Sequence, residues 1–172
     1  MKTLRVLRRF AGLSPLLVAG SVAVLMLAGP VAAAAEHAVP INGTFSVNFT
    51  ATPTAAGIFS VVANGIGSTS HAGNLLFALR KTINFNDGTM QGTFTMTDEN
   101  GDTLAGNYAG VINAPDSKGF APFSGQLTLT TGTGRFQNVK GIVSFTALAN
   151  LGTGQAVYSF REGMLSADSG GQ

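Results

Sequence analysis

The sequence predicts an all-β protein, a single closed or nearly closed antiparallel barrel of eight strands in up-and-down order. After residue 42 no segment shows the apolar repeat of a helix, and Gly, Thr, Phe and Val recur in short runs divided by turn signals. Eight is the strand number at which a closed barrel is just filled by its own side chains or holds one small ligand. We predict strands at residues 43–51, 57–69, 73–85, 89–97, 103–112, 122–130, 135–149 and 155–165.

The first 35 residues have the pattern of a secretory signal peptide. Four basic residues precede an apolar run at residues 13–28, and small residues follow as far as Ala35. An uncleaved anchor is the alternative, but the run is shorter than the roughly 20 residues of a membrane helix and is followed by Pro30. We therefore expect a secreted, periplasmic or cell-envelope protein with no stable membrane insertion after cleavage. The remaining chain divides into an N-terminal arm (36–41), a barrel domain (42–166) and a disordered tail (167–172).

Charge and cysteine content exclude several classes of function. Beyond the leader, six basic residues stand against eight acidic ones, a net charge of −2, with no basic cluster that could neutralise several phosphates. We therefore expect no nucleic-acid partner. The chain has no cysteine, so it has neither disulfide bonds nor thiol chemistry. We also expect no cofactor and no metal.

Turn signals predict a succession of hairpins. Asn86-Asp87-Gly88, the Asp98–Asp102 segment and Gly152-Thr153-Gly154 offer residues that tolerate positive φ. One connection, at residues 113–121, is long, and loops of that size are more often functional than two-residue turns.

Side-chain alternation predicts which face is inside. In the fourth run Met90, Gly92, Phe94 and Met96 share one face and threonines dominate the other. Applied to every run, the alternation predicts a core of Phe45, Val47, Phe49, Leu75, Phe77, Leu79, Ile83, Phe85, Leu104, Tyr108, Ile112, Leu127, Leu129, Val143, Phe145, Tyr158, Phe160 and Met164. The residues expected to contact a ligand in the barrel lumen are Phe77, Met96, Tyr108, Phe145, Tyr158 and Phe160.

The segment from Thr130 to Val143 carries a family resemblance. Its Thr-Gly-Thr-Gly-Arg-Phe turn, followed by Val-Lys-Gly, resembles the turn of the allene oxide cyclase and dirigent barrel group, which includes secreted bacterial members of unassigned function. The resemblance implies a barrel whose apolar lumen receives a small guest. The plant cyclases place a carboxylate and an asparagine near the start of the barrel, whereas residues 42–51 contain no acid. No catalytic residue is therefore transferred, since a shared fold does not carry an activity with it.

Two charged residues fall on the apolar face. The alternation places Glu162 beside Phe160, and Lys81 between Leu79 and Ile83. A buried carboxylate has a raised pKa and can act as a general acid or base, while a nearby lysine would lower that pKa again. The alternative is a bulge, or a position near the rim, that turns both side chains to solvent. Glu162 is thus the candidate catalytic residue.

Three further patterns have a structural interpretation beside a chemical one. The Asp98–Asp102 turn could collect oxygen ligands for calcium, but it lacks the full loop of an EF-hand, and we favour a solvated hairpin. His71 lies in a turn without a nucleophile elbow, and the other histidine, His37, is in the arm, so neither a triad nor a two-histidine metal site is supported. Arg135 could bind an anion, although we expect it to hydrogen-bond neighbouring strand ends.

Three functions remain open at this point. The first is a non-enzymatic exported barrel that binds a small apolar ligand or acts as an interaction module in the envelope or medium. The second is a cyclase or isomerase that uses Glu162 inside the same lumen. The third is a self-associating structural barrel, which would form a homo-oligomer.

Overall fold

The computed structural model describes the chain from residue 39 to residue 167, with side chains from residue 41 and excluding those of residues 162, 164, 165 and 167. It contains eight strands and one short 3-10 helix, Gly134–Phe136. The strands are β1 (Val39–Ala55), β2 (Ile58–Thr69), β3 (Gly73–Asn84), β4 (Thr89–Asp98), β5 (Thr103–Ile112), β6 (Phe120–Gly132), β7 (Val139–Asn150) and β8 (Gln155–Ala167).

The eight strands close into one barrel. Each strand pairs antiparallel with the next, and β8 returns to pair with β1. On β1, Phe45 lies opposite Gly67 of β2 on one side and Tyr158 of β8 on the other. The predicted eight-stranded, antiparallel, up-and-down barrel is therefore confirmed. No helix within residues 39–167 is long and apolar enough to cross a membrane.

Period-two alternation builds the core. Along β3 the buried residues are Leu75, Phe77, Leu79, Lys81 and Ile83, and the residues between them are exposed. Successive side chains of a strand point to opposite faces, so one face of the sequence fills the barrel and the other meets water. All of the predicted core side chains within the described part of the chain are buried, except two phenylalanines at one end of the barrel that are half-buried.

Three strand boundaries differ from the prediction by four residues, the two ends of β1 and the start of β7, and the others lie within two residues of it. β1 begins at Val39, inside the predicted arm, and Ile41 is only 2% exposed because it packs in the core. β7 begins at Val139 rather than at residue 135, since Gly134–Phe136 forms the 3-10 helix. The chain enters this helix through Gly134 at a φ of +52° and leaves it through Asn138 at +66°. Positive φ at both positions reverses the chain before the strand can start.

The two ends of the barrel are built differently. The turns β2–β3, β4–β5 and β6–β7 lie at one end, the closed end, where the buried Phe136 ring and the Arg135 side chain sit together with a guanidinium to ring-centroid distance of 4.4 Å. The turns β1–β2, β3–β4, β5–β6 and β7–β8 lie at the other end, the open end. Between the ends, aromatic rings fill the barrel, with centroids of Phe45 and Phe77 at 5.4 Å and of Phe45 and Phe160 at 4.8 Å.

Candidate functional site

An apolar cavity of about 230 Å³ lies in the open half of the barrel. Its lining residues come from all strands except β4, and all of them except Lys81 and Tyr158 are apolar. Small side chains contribute to the space, since Ala149 pairs with Ala121 on one side and with Ala156 on the other. The alanines that line the cavity are Ala51, Ala63, Ala149 and Ala156.

Half-buried aromatic rings surround the part of this cavity that is nearest the open end. Phe49, Phe59 and Phe85 line it and are neither fully buried nor exposed. The rings of Phe59 and Phe85 meet edge to face with centroids 5.7 Å apart. Leu151, in the turn between β7 and β8, also lines the cavity and is 39% exposed. The cavity therefore has an apolar rim that reaches solvent at the open end.

The long connection between β5 and β6 supports this rim. In this loop Asp116 Oδ1 accepts hydrogen bonds from the backbone N–H groups of Lys118 and Phe120, at 2.9 and 2.8 Å. The carbonyl of Gly119 then accepts a hydrogen bond of 2.9 Å from the N–H of Leu151. The sequence predicted a functional role for this loop, and its observed contact is a tether to a residue of the cavity rim.

Lys81 lies at the inner end of the cavity. It is 7% exposed, and its Nζ donates hydrogen bonds to Tyr108 Oη at 3.2 Å and to Met90 Sδ at 3.5 Å. The same Nζ lies 4.4 Å from the ring centroid of Phe123 and 4.9 Å from that of Tyr108. The inward orientation of Lys81, one of the two orientations left open by the sequence, is thus the observed one.

Burial dominates the electrostatics of this group. Desolvation lowers the pKa of Lys81 from 10.5 to about 7, because an ammonium loses its hydration among apolar walls. Burial raises the pKa of Tyr108 and that of Tyr158 above their ordinary value. Within the described part of the chain, the salt bridge, between Arg135 and Asp98, lies at the closed end, and no carboxylate accepts a hydrogen bond from Lys81. The inner end of the cavity therefore holds an easily neutralised amine, Lys81, bonded to the phenol of Tyr108, and a second phenol, Tyr158, in the same lining.

The six predicted ligand contacts separate into two groups. Tyr158 lines the cavity, and Tyr108 does not line it but accepts a hydrogen bond from Lys81, which does. The other four are buried in the packed part of the barrel and do not line the cavity: Phe77, Met96, Phe145 and Phe160. The sequence reasoning missed the rim phenylalanines, Phe49, Phe59 and Phe85, as a site, although their position close to the ends of their strands was a usable signal.

The backbone around Glu162 departs from the strict alternation on which the inward orientation of Glu162 was predicted. Strand register shifts between Phe160 and Gly163 in the pairing of β8 with β1, and between Arg161 and Met164 in its pairing with β7. Phe160 and Gly163 are both buried, so strict alternation does not continue along β8 past Phe160. The side chain of Glu162, like that of Met164, lies outside the described residues, and the site described here does not include it.

A charged cluster closes the opposite end of the barrel. Arg135 Nε donates to Asp98 Oδ2 at 2.6 Å, and its Nη2 donates to the carbonyl of Ala72 at 2.6 Å. The prediction that Arg135 hydrogen-bonds neighbouring strand ends is confirmed. Asp98 Oδ1 accepts from the N–H groups of Asn100 and Asp102, at 2.8 and 2.9 Å. Burial tends to raise the pKa of Asp98, but the bonds from Arg135, Asp102 and Asn100 hold it below its ordinary value.

The expectation of a fully solvated turn at residues 98–102 is wrong for Asp98, which is 5% exposed. Tertiary pairing with Arg135, 37 residues away along the chain, brings this carboxylate inside. No group of three or more His, Asp or Glu side chains among the described residues could hold a metal ion. His71 is exposed in the β2–β3 turn.

The resemblance of Thr130–Val143 to the allene oxide cyclase and dirigent barrels stays a prediction. The closed barrel is compatible with this resemblance, but the segment forms only a strand end, a 3-10 helix and a strand start, which do not identify a family. Comparison of the chain with known protein families, with characterised proteins and with solved structures gave no match.

Proposed function

We propose that this barrel binds a small apolar molecule in the cavity at its open end. The observation that supports the proposal is the cavity itself, about 230 Å³ of space walled by aliphatic and aromatic side chains. Protein interiors are close-packed, and an unfilled space of this size costs stability through lost contacts. Engineered apolar cavities of about 150 Å³ stay dry and bind benzene. A ligand somewhat larger than benzene therefore fits the space.

The chemistry of the lining selects the type of ligand. An apolar body gains about 25 cal/mol for each Å² that leaves water, and aliphatic and aromatic side chains together supply the surface it would meet. Lys81 and Tyr158 supply the polar groups at the inner end. The best ligand is thus a compact apolar molecule with one oxygen acceptor. The predicted leader at residues 1–35 supports the further proposal that binding takes place outside the cytoplasm.

Filling the cavity provides the test. Ala63 lines it and is 2% exposed, whereas Ala78, on the neighbouring strand, is exposed on the outer face. We expect benzyl alcohol to bind the wild-type protein in isothermal titration calorimetry, and Ala63→Leu to weaken the affinity at least about tenfold by occupying the space. Ala78→Leu is the matched control, with the same substitution outside the barrel, and should bind as the wild type does.

Two results would count against the proposal. One is equal affinity of Ala63→Leu and Ala78→Leu, which would place binding elsewhere. The other is that no small apolar molecule from a broad panel is retained, and that native mass spectrometry of the purified protein shows no co-purifying guest. A stable oligomer with an empty cavity would then favour the self-associating barrel.

A further inference from the structure

We propose that Lys81 captures an aldehyde or ketone in the cavity as a reversible imine. The proposal rests on the proposed function, because the carbonyl compound must first enter the cavity as an apolar guest. It goes further by naming the ligand class and the atom that bonds to it.

The position of the amine carries the inference. Lys81 lines the cavity together with Phe123 and Tyr158, and its Nζ lies 4.4 Å from the Phe123 ring centroid. Lys81 lies between Leu79 and Ile83 on the inner face of β3, so its amine is at the inner end of the apolar cavity. A guest that fills the cavity therefore places its polar end at Nζ.

The surroundings favour the neutral, nucleophilic form of this amine. Among the described side chains, the titratable groups that face it are two phenols, Tyr108 from β5 and Tyr158 from β8, and both stay protonated because burial raises their pKa. Met90 from β4 and Phe123 from β6 contribute no charge. Desolvation in an apolar pocket is one of the established ways to activate a lysine as a nucleophile, and it lowers the pKa of Lys81 to about 7.

The reaction balances without a further reagent. The Nζ lone pair attacks the carbonyl carbon, and the carbonyl oxygen takes up a proton as the carbinolamine forms. A second proton passes from nitrogen to that oxygen, a C–N double bond forms, and one water leaves. Tyr108 Oη, 3.2 Å from Nζ, is placed to pass these protons because a phenol both donates and accepts. Hydrolysis by the reverse steps releases the carbonyl compound.

The experiment uses benzaldehyde as the probe and benzyl alcohol as its non-reactive analogue. Wild-type protein is incubated with benzaldehyde and sodium cyanoborohydride, whose hydride reduces the protonated imine to a stable benzylamine in preference to the free aldehyde, and the modified lysine is located by peptide mass spectrometry. Lys118 is the internal control because it is exposed in the β5–β6 loop. At pH 7 we expect Lys81 to be labelled at least about tenfold faster than Lys118, because burial lowers the pKa of Lys81 to about 7 and leaves about half of its amine neutral.

The pH profile and one variant complete the test. Labelling of Lys81 should rise to half its maximum near pH 7, where its amine loses its proton. Lys81→Met should lose the label at this site, and a cooperative urea transition followed by circular dichroism shows that the variant is folded. If that variant does not fold, the wild-type labelling ratio and its pH profile decide the matter alone.

The outcomes separate the two proposals. Binding of benzyl alcohol without preferential labelling of Lys81 overturns the imine and leaves the proposed function standing. Labelling of Lys81 without measurable binding of benzyl alcohol supports covalent capture and overturns a non-covalent binder. Neither binding nor labelling overturns both.

Discussion

Replacement of Lys81 by methionine should make the protein more stable, by an amount that depends on pH. Lysine and methionine have similar lengths and volumes, so the change removes the buried charge with little change of packing. Burial lowers the pKa of Lys81 from 10.5 to about 7, a difference of 3.5 units. Each unit corresponds to about 1.4 kcal/mol, so the buried ammonium costs roughly 5 kcal/mol below pH 7.

The direction of the pH dependence follows from proton counting. Below pH 7 both the folded and the unfolded state carry the charge, and the full cost of burial is present. Between about pH 7 and 10.5 the folded state is neutral while the unfolded state still binds the proton, so wild-type stability rises with pH by about 1.4 kcal/mol per unit. Lys81→Met lacks this contribution. The stability gap between the variant and the wild type should therefore shrink from roughly 5 kcal/mol at pH 6 to about 2 kcal/mol at pH 9.

Urea denaturation of both proteins at pH 6, 7, 8 and 9, followed by circular dichroism, measures this gap. Differences in packing or in the Tyr108 hydrogen bond are nearly constant with pH and cancel when the gaps at two pH values are compared. Lys118→Met is the control, because Lys118 is exposed and its removal should leave the wild-type pH profile unchanged. A gap of the same size at pH 6 and pH 9 would refute the reasoning, since it would mean that Lys81 stays protonated in the folded protein across this range, as a hydrated lysine does.

Three further predictions concern the closed end and the leader. Gly134→Val should destabilise the protein by roughly 1 to 3 kcal/mol in urea titrations, because Gly134 has a φ of +52° and an added side chain would meet the Asp102 carboxylate. Gly101→Val is the control: Gly101 has a φ of +87° in open space, so this variant measures the cost of backbone strain without a steric clash. An unchanged urea midpoint for Gly134→Val would contradict the turn geometry. Asp98→Asn should lower the free energy of unfolding at neutral pH, because the lowered pKa of Asp98 means that its ionised form stabilises the fold. This loss of stability should diminish as pH falls below the ordinary carboxylate range. A loss that does not depend on pH would show that the charge of Asp98 is not involved. Mass spectrometry of the exported protein should find an N-terminus at Glu36 or within a few residues of it, and a product that retains residues 13–28 would indicate an anchored protein instead.

Strand identity and facing could be predicted from the sequence because both are local properties. Hydrophobic alternation along β3, for example, sets which side chains lie on one face, and this holds whatever the partner strands are. The number of strands and the turn residues between them, such as Asn86-Asp87-Gly88, then predicted closure into a barrel. The same local rules correctly placed Tyr158 and Phe160 inside.

The candidate site was predictable only in part, because the alternation shows which side chains point inward but not where along the barrel axis each of them lies. Phe77 and Lys81 lie on the same face of β3, yet Phe77 belongs to the packed core and Lys81 to the cavity. Their difference depends on which residues of the other strands stand at the same level, and pairing registers decide that. Small residues such as Ala149 and Ala156, which pair directly, leave space only where they stand at the same level of the barrel.

Irregular backbone was also decided by tertiary structure. The register shift beyond Phe160 interrupts the alternation of β8, and one residue is enough to exchange the two faces. Asp98 reads in the sequence as part of a solvated turn, but Arg135 from a distant turn brings it inside. What the sequence by itself determined is therefore the strand pattern and the barrel, which depend on neighbours along the chain. The cavity, the buried amine and the closed end depend on side chains that meet only when the barrel closes, since packing and desolvation are properties of the assembled core.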